Sequence, residues 1–147
     1  MSATTLWLIA AILAQGILVF LIAALLYQRR IPLVLKGKVR VGDIALDRDK
    51  WPESSQQVAN AFSNQFEVPV LFFAAALLTL YFGTTLIEVV LAWLFVASRY
   101  VHAFIHVTNN HVIRRFFAFA FGFVVLAVWW LVLIVRVISI AAAPGAA

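Results

Sequence analysis

The chain has 147 residues, of which 65% are hydrophobic and 12% are charged, and its net charge is +5. Soluble domains carry about 25% charged residues, so this composition excludes a water-soluble globular protein and favours a single domain, residues 1–147, whose surface faces lipid. No nucleic-acid partner is expected because the basic residues flank apolar segments, and the lack of cysteine excludes disulfides and thiolate metal sites.

Four apolar segments predict four membrane-spanning helices. The first, residues 6–27, covers about 33 Å at a rise of 1.5 Å per residue, which is enough to cross the hydrocarbon core. The pair Ile31-Pro32 predicts that this helix ends near Arg30, and a polar connection of residues 28–51 follows. The remaining spans are predicted at residues 56–82, 85–107 and 112–140, with a frayed tail behind them. The expected fold class is therefore all-α, an integral membrane four-helix bundle.

The distribution of Lys and Arg predicts the orientation in the membrane. The first connection is rich in both residue types, and Arg114 and Arg115 directly follow the third connection. The opposite side carries only Arg136. Because short cytoplasmic loops are enriched in Lys and Arg, the first and third connections are predicted in the cytoplasm and both termini on the non-cytoplasmic side.

Polar side chains with helical spacing gather towards the cytoplasmic end of the last three spans. They are Asn60, Asn64 and Glu67 on the second span, Arg99, His102 and His106 on the third, and Arg114 and Arg115 at the start of the fourth. Spacings of three and four residues place the members of each set on one face of their helix. A charge that faces lipid costs a few kcal/mol, so we expect one inward-facing chamber with a direct Glu67–Arg99 contact. Pro69 is expected to bend the second helix beside it.

Several of these residues also have simpler explanations. The two asparagines bind neighbouring helices together in one alternative, and Glu67 with Arg99 is a purely structural pair in another. Arg114 and Arg115 suit ordinary contacts with lipid headgroups, and Glu88 suits the outer membrane interface. A metal site on His102, His106 and Glu67 is disfavoured because two imidazoles without a clear third ligand are weak evidence, so no metal is expected.

Two stretches, NQFEVPVLFFAAAL and RYVHAFIHVTNNHVIRR, resemble the bacterial branch of the MAPEG family, the membrane-associated proteins in eicosanoid and glutathione metabolism. The resemblance covers nearly the whole chain. It implies that the chain is one protomer of a homotrimer in the bacterial inner membrane. It also implies a glutathione site between neighbouring protomers near the cytoplasmic face.

The resemblance also implies roles for individual residues. Arg115 is the expected catalytic residue, which holds and activates the thiol. The expected glutathione-binding residues are Asn64, Glu67, Arg99 and His102, with His106 and Arg114 beside them. Three positions depart from the family's glutathione enzymes: Ser63 stands where they carry Arg, Phe119 where they carry Tyr, and His106 where they carry an aromatic hydroxyl.

Two functions follow from these observations. The first is a glutathione-dependent transferase or peroxidase acting on lipophilic electrophiles at the cytoplasmic side. The alternative, which the departures favour, is a non-catalytic membrane module whose polar cluster holds helices, subunits or a lipid headgroup. A channel or transporter is disfavoured because no polar stripe runs through the full depth of the spans.

Overall fold

In the computed structural model, residues 1–45, 47 and 50–142 are described, and within these ranges the regular structure is entirely helical. The helices are α1 (Ala3–Leu35), α2 (Val41–Ile44), α3 (Glu53–Ser63), α4 (Val68–Phe82), α5 (Leu86–Val107) and α6 (Val112–Ala141). A 3-10 turn at Asn64–Phe66 joins α3 to α4. Four helical segments in the described part are long and apolar enough to cross a membrane, with α3 and α4 together forming one of them. The predicted four-helix membrane fold is confirmed, while most of the predicted C-terminal tail, residues 143–147, lies outside the described ranges.

Helix α1 runs past the predicted end near Arg30, so that prediction was wrong. The helix contains Pro32 in its last turn and continues to Leu35. Proline deprives the helix of a single donor, and the amide of Lys36 still bonds to the Pro32 carbonyl at 3.1 Å. The helix ends where Gly37 adopts a φ of +65°, a conformation that glycine tolerates well.

The segment between α3 and α4 interrupts the second membrane span. This interruption lies directly before Pro69, where a bend was expected. The backbone tightens into the 3-10 turn, and Glu67 then leaves helical geometry with φ −98° and ψ −103°. Pro69 lies in the first turn of α4, where a missing backbone donor costs little. The second span is therefore not one continuous α-helix, and the helical spacing of three and four residues does not apply across the interruption.

Helix α5 lies at the centre of the bundle, where it packs on α1, α3, α4 and, most extensively, α6. The two helices approach closely at Gly122 of α6, where an added Cβ would lie 2.2 Å from the Ser98 hydroxyl oxygen. Phe72 of α4 stacks on Phe95 of α5 at 5.0 Å between ring centroids. The tightly packed α5–α6 pair forms the scaffold on which the polar residues of both helices are held.

The bundle has two chemically different ends. We call the end formed by residues 36–45, residues 50–52 and the turn 108–111 the basic end. The opposite end, formed by residues 1–3, 83–85 and 140–142, is called the terminal end. At the terminal end, Glu88 is fully buried, contrary to the expectation of an ordinary interface residue. Its carboxylate pairs with Arg136 Nη1 at 3.0 Å, and Arg136 Nη2 donates to the Phe82 carbonyl at 2.5 Å.

Candidate functional site

A cavity of about 280 Å³ lies near the basic end, between α5, α6 and the 3-10 turn. Its lining combines polar and apolar side chains. The lining residues are Asn64, His102, His106, Val112, Arg115, Phe116 and Phe119. Four of the seven residues that the sequence placed at the site therefore face a single space.

Arg115 is held in this cavity through one of its three guanidinium nitrogens. Its Nη1 donates to the Asn110 side-chain oxygen at 2.5 Å and approaches the His106 ring nitrogens at 3.1 and 3.3 Å. Asn110 lies in the turn before α6 with a φ of +49°, a conformation that asparagine adopts more readily than most residues. Within the described part of the chain, Nη2 and Nε of Arg115 have no hydrogen-bond partner. The turn thus fixes the position of Arg115 and leaves two donors for an anion.

His102 is fixed by the backbone of α6. Its Nδ1 lies 3.0 Å from the Arg115 carbonyl oxygen. Since a carbonyl only accepts, Nδ1 carries the hydrogen, and in the neutral ring Nε2 is an acceptor. That Nε2 atom is buried and has no partner among the described residues. The ring centroid is 5.7 Å from that of His106 and 5.8 Å from that of Phe119, so the imidazole forms part of the cavity wall.

Arg99 reaches Glu67 only through Asn64, so the predicted direct contact was wrong. The Arg99 Nη2 donates to the Asn64 side-chain oxygen, and the Asn64 amide donates to Glu67 Oε2 at 3.3 Å. Arg99 is only 1% exposed, and its Cζ lies 5.5 Å from the centre of the Phe119 ring. Asn64 therefore acts as a bridge, with its carbonyl oxygen towards the cation and its NH₂ towards the carboxylate.

A family model described as the MAPEG family matches residues 4–135 of the chain. The chain belongs to the MAPEG family. No curated protein and no solved structure matches it. Membership, together with the four spanning helices, makes this MAPEG protein an integral membrane protein whose surroundings are a lipid bilayer. The family is associated with glutathione, and the match itself names no residue that binds it.

Glu67 of this MAPEG protein lies on the outside of the helix bundle. It is exposed, and Phe66 beside it is 57% exposed. Arg115 lines the cavity, whereas Arg99 is buried but is not part of the cavity lining. The expectation that Glu67, Arg99 and Arg115 all turn into one chamber therefore holds for Arg115 and was wrong for the carboxylate. The prediction assumed a continuous helix, whereas Glu67 follows the 3-10 turn with non-helical φ and ψ and remains exposed although it bonds to Asn64.

Two further polar residues lie away from the cavity of the MAPEG protein. Arg114 is exposed, and its backbone N–H donates to the His111 ring at 3.4 Å as part of the α6 N-cap. Asn60 is exposed and lines a separate cavity of about 620 Å³ together with Arg30 and Trp51. Neither side chain takes part in the cavity that contains Arg115.

Some residues that support the site were missed by sequence reasoning. Arg29 donates to the Ser54 carbonyl at 2.7 Å and to the Val107 carbonyl at 3.2 Å, and Gln57 donates to the His106 carbonyl at 2.6 Å. These contacts tie the end of α5 to α1 and α3. Arginines in a basic connection are normally interpreted as determinants of membrane orientation. Nothing in the sequence distinguishes Arg29 from the neighbouring basic residues as a structural contact.

Metal-ligand types are sparse in the MAPEG protein. Within the described ranges, no group of three His, Cys, Asp or Glu side chains is arranged to hold a metal ion. The two cavity histidines are instead engaged with Arg115, one through its carbonyl oxygen and the other through its guanidinium.

Proposed function

We propose that this MAPEG protein is a glutathione-dependent transferase or peroxidase acting on lipophilic electrophiles. The observation that carries the proposal is the Arg115 guanidinium, which is anchored through Nη1 and faces a cavity with apolar walls. A positive charge of this kind beside a thiol favours the thiolate, which is the reactive nucleophile. The same walls, Val112, Phe116 and Phe119, are suited to an apolar second substrate.

The polar groups suit the parts of glutathione. The cavity has a volume of about 280 Å³, which is near the lower bound of about 300 Å³ for small-molecule sites. A tripeptide would therefore extend beyond the cavity. Asn64 would bond the peptide backbone, and the exposed carboxylate of Glu67 would accept from the ammonium group. Arg99 is already bonded to Asn64, so we assign it the role of holding that amide in place. His102 and His106 line the side next to the sulfur.

The reaction follows from these placements. The thiol releases its proton to water while Arg115 stabilises the sulfur anion. The thiolate attacks an electrophilic carbon, a carbon–sulfur bond forms, and a leaving group such as chloride departs. With a hydroperoxide, the thiolate sulfur attacks the terminal oxygen, the O–O bond breaks, and an alcohol is released. A second glutathione then reacts with the oxidised sulfur to give the disulfide and water.

We further propose a homotrimer with the basic end in the cytoplasm of a bacterial inner membrane and both termini outside. The orientation is supported by the positive charge of the first connection and the start of α6. Self-association is supported by Glu67, because an exposed carboxylate in a membrane-spanning segment is costly against lipid. A neighbouring protomer would cover it and complete the site beyond the small cavity.

The test is glutathione conjugation to a chlorinated aromatic acceptor, followed by absorbance with the purified full chain in detergent. We expect wild-type activity and a loss of about 100-fold in kcat/KM for Arg115→Ala, the scale seen when a donor that stabilises developing charge is removed. Arg40→Ala, which removes an exposed arginine at the same end, is the matched control and should retain activity.

The outcome also separates the alternative function. An inactive wild type whose melting temperature does not change with millimolar glutathione would support the non-catalytic membrane module. That reading is favoured by Phe119, whose ring lines the cavity without the hydroxyl that the resemblance leads one to expect. Equal activity of wild type and Arg115→Ala would also contradict the enzyme proposal.

A further inference from the structure

Gln15 is a polar side chain in the middle of the apolar α1, and it is completely buried. Its Nε2 donates to Gln65 Oε1 at 3.2 Å, and Gln65 Nε2 donates in turn to the Ala61 carbonyl at 3.2 Å. Gln65 is the central residue of the 3-10 turn that interrupts the second span. A chain of amides thus connects α1 to the break beside Asn64.

The direction of this chain is fixed by chemistry. The Ala61 carbonyl only accepts, so the NH₂ group of Gln65 faces it and the Gln65 oxygen faces α1. Gln15 must therefore supply its NH₂ group, which leaves its own Oε1 buried and without a partner among the described residues. An unpaired amide oxygen in an apolar core is unfavourable, so stability alone does not account for glutamine at this position.

The turn is held from two sides. On one side Arg99 of α5 donates to the Asn64 side chain and, at 3.5 Å, to its backbone carbonyl. On the other side Gln15 of α1 bonds the next residue, Gln65. A short 3-10 segment is weakly stabilised by its own hydrogen bonds, so its shape depends on such external contacts.

We propose that Gln15 is a positioning residue that holds the 3-10 turn and thereby sets Asn64 and Glu67 for the substrate. The inference rests on the proposed function, because Asn64 and Glu67 are the groups assigned to the peptide and ammonium parts of glutathione. Gln15 itself lies outside the cavity lining. Its effect on binding passes through Gln65 and the backbone of the turn.

The experiment compares Gln15→Leu with Tyr100→Phe in the purified full chain. Tyr100 donates its hydroxyl to the Ala14 carbonyl at 2.8 Å, so its substitution removes a hydrogen bond between helices one residue away without touching the turn. Gln15→Leu should raise the Kd of glutathione about fivefold in calorimetric titration, as expected for the loss of one hydrogen bond. It should also accelerate hydrogen exchange at the amides of residues 64–67, while Tyr100→Phe changes neither quantity.

The two readouts separate this inference from the proposed function. If wild type does not bind glutathione, the proposed function fails and hydrogen exchange at residues 64–67 still decides the role of Gln15. If wild type binds and Gln15→Leu leaves both exchange and Kd unchanged, the positioning role is overturned and the proposed function stands.

The double variant Gln15→Leu/Gln65→Leu guards against a folding defect. It removes both buried amides and with them the unpaired oxygen, so its melting temperature should equal or exceed that of wild type. Binding should nevertheless remain weak, because the turn has lost its contact with α1. Wild-type affinity in the stable double variant would overturn the proposal.

Discussion

Two clusters of buried charge lie at opposite ends of the bundle, and they differ in how completely their hydrogen bonds are filled. At the terminal end, the Glu88 carboxylate receives bonds from Arg136, from the Thr85 amide at 2.9 Å and from the Thr85 hydroxyl at 2.7 Å. At the basic end, Arg99 Nε and His102 Nε2 are buried without partners among the described residues, and Arg115 uses a single nitrogen.

The difference indicates what each cluster is for. The buried Glu88 carboxylate is hydrogen-bonded within the protein, so it is not available to a ligand. Its pairing with Arg136 holds α6 against the start of α5. Unfilled donors and acceptors beside a cavity lower stability, so they are better explained by a molecule that binds there. This contrast supports the proposed ligand site at the Arg115 cavity, and we interpret the Glu88–Arg136 pair as a structural clasp between α5 and α6.

The largest effect is expected from opening the clasp. Arg136→Met leaves the fully buried Glu88 carboxylate without its cation, and breaking a buried pair in this way costs about 3–5 kcal/mol of unfolding free energy. Denaturation in detergent micelles measures the loss. Glu88→Gln/Arg136→Met, which leaves no unpaired charge, should recover most of it.

The matched control for the clasp is an exposed ion pair in the same chain. Lys50 and Asp47 lie 3.9 Å apart and are both about half exposed. Lys50→Ala should change the unfolding free energy by less than about 1 kcal/mol, as is usual for surface pairs. A comparable loss in Lys50→Ala and Arg136→Met would show that the clasp has no special structural role.

A smaller effect is expected from loosening the anchor of Arg115. Asn110→Gly retains a residue that accepts a positive φ but removes the oxygen that binds Nη1. We expect kcat/KM for glutathione conjugation to fall about tenfold, the equivalent of roughly 1.4 kcal/mol, with little change in melting temperature. Unchanged kinetics in a correctly folded Asn110→Gly variant would mean that the turn does not set the position of Arg115.

Much of the fold was predictable because membrane spans are specified locally. Long apolar runs and their basic flanks identify four helices without any knowledge of tertiary contacts. The end of α1 was not predictable from Pro32, because a proline in a last turn removes only one bond and the following residues decide whether the helix continues. Helical spacing on α5 correctly brought His102 and His106 to one face, because that helix is continuous.

The remainder of the site depends on tertiary structure. The stripe of Asn60, Asn64 and Glu67 assumed an unbroken helix, and the 3-10 turn made that assumption fail for Glu67. Glu88 and Arg136 are 48 residues apart on different helices, so no local spacing links them. The same holds for Gln15 and Gln65, whose contact requires the packing of α1 against the second span.

The smallest effect is expected from adding a hydroxyl to the unfilled cluster. Phe119 lines the cavity, and its ring lies near His102 and Arg99. Phe119→Tyr places a donor and acceptor among groups that have unused hydrogen-bonding capacity, and we expect kcat/KM for glutathione conjugation to rise up to about fivefold. Phe123→Tyr is the matched control, because that ring stacks on Phe119 at 6.4 Å but is 51% exposed and lies outside the cavity. A gain confined to Phe119→Tyr supports a ligand site at the basic end. Equal gains in both variants, or a loss in Phe119→Tyr alone, would indicate that the side chains with unused hydrogen-bonding capacity around Phe119 do not contact the substrate.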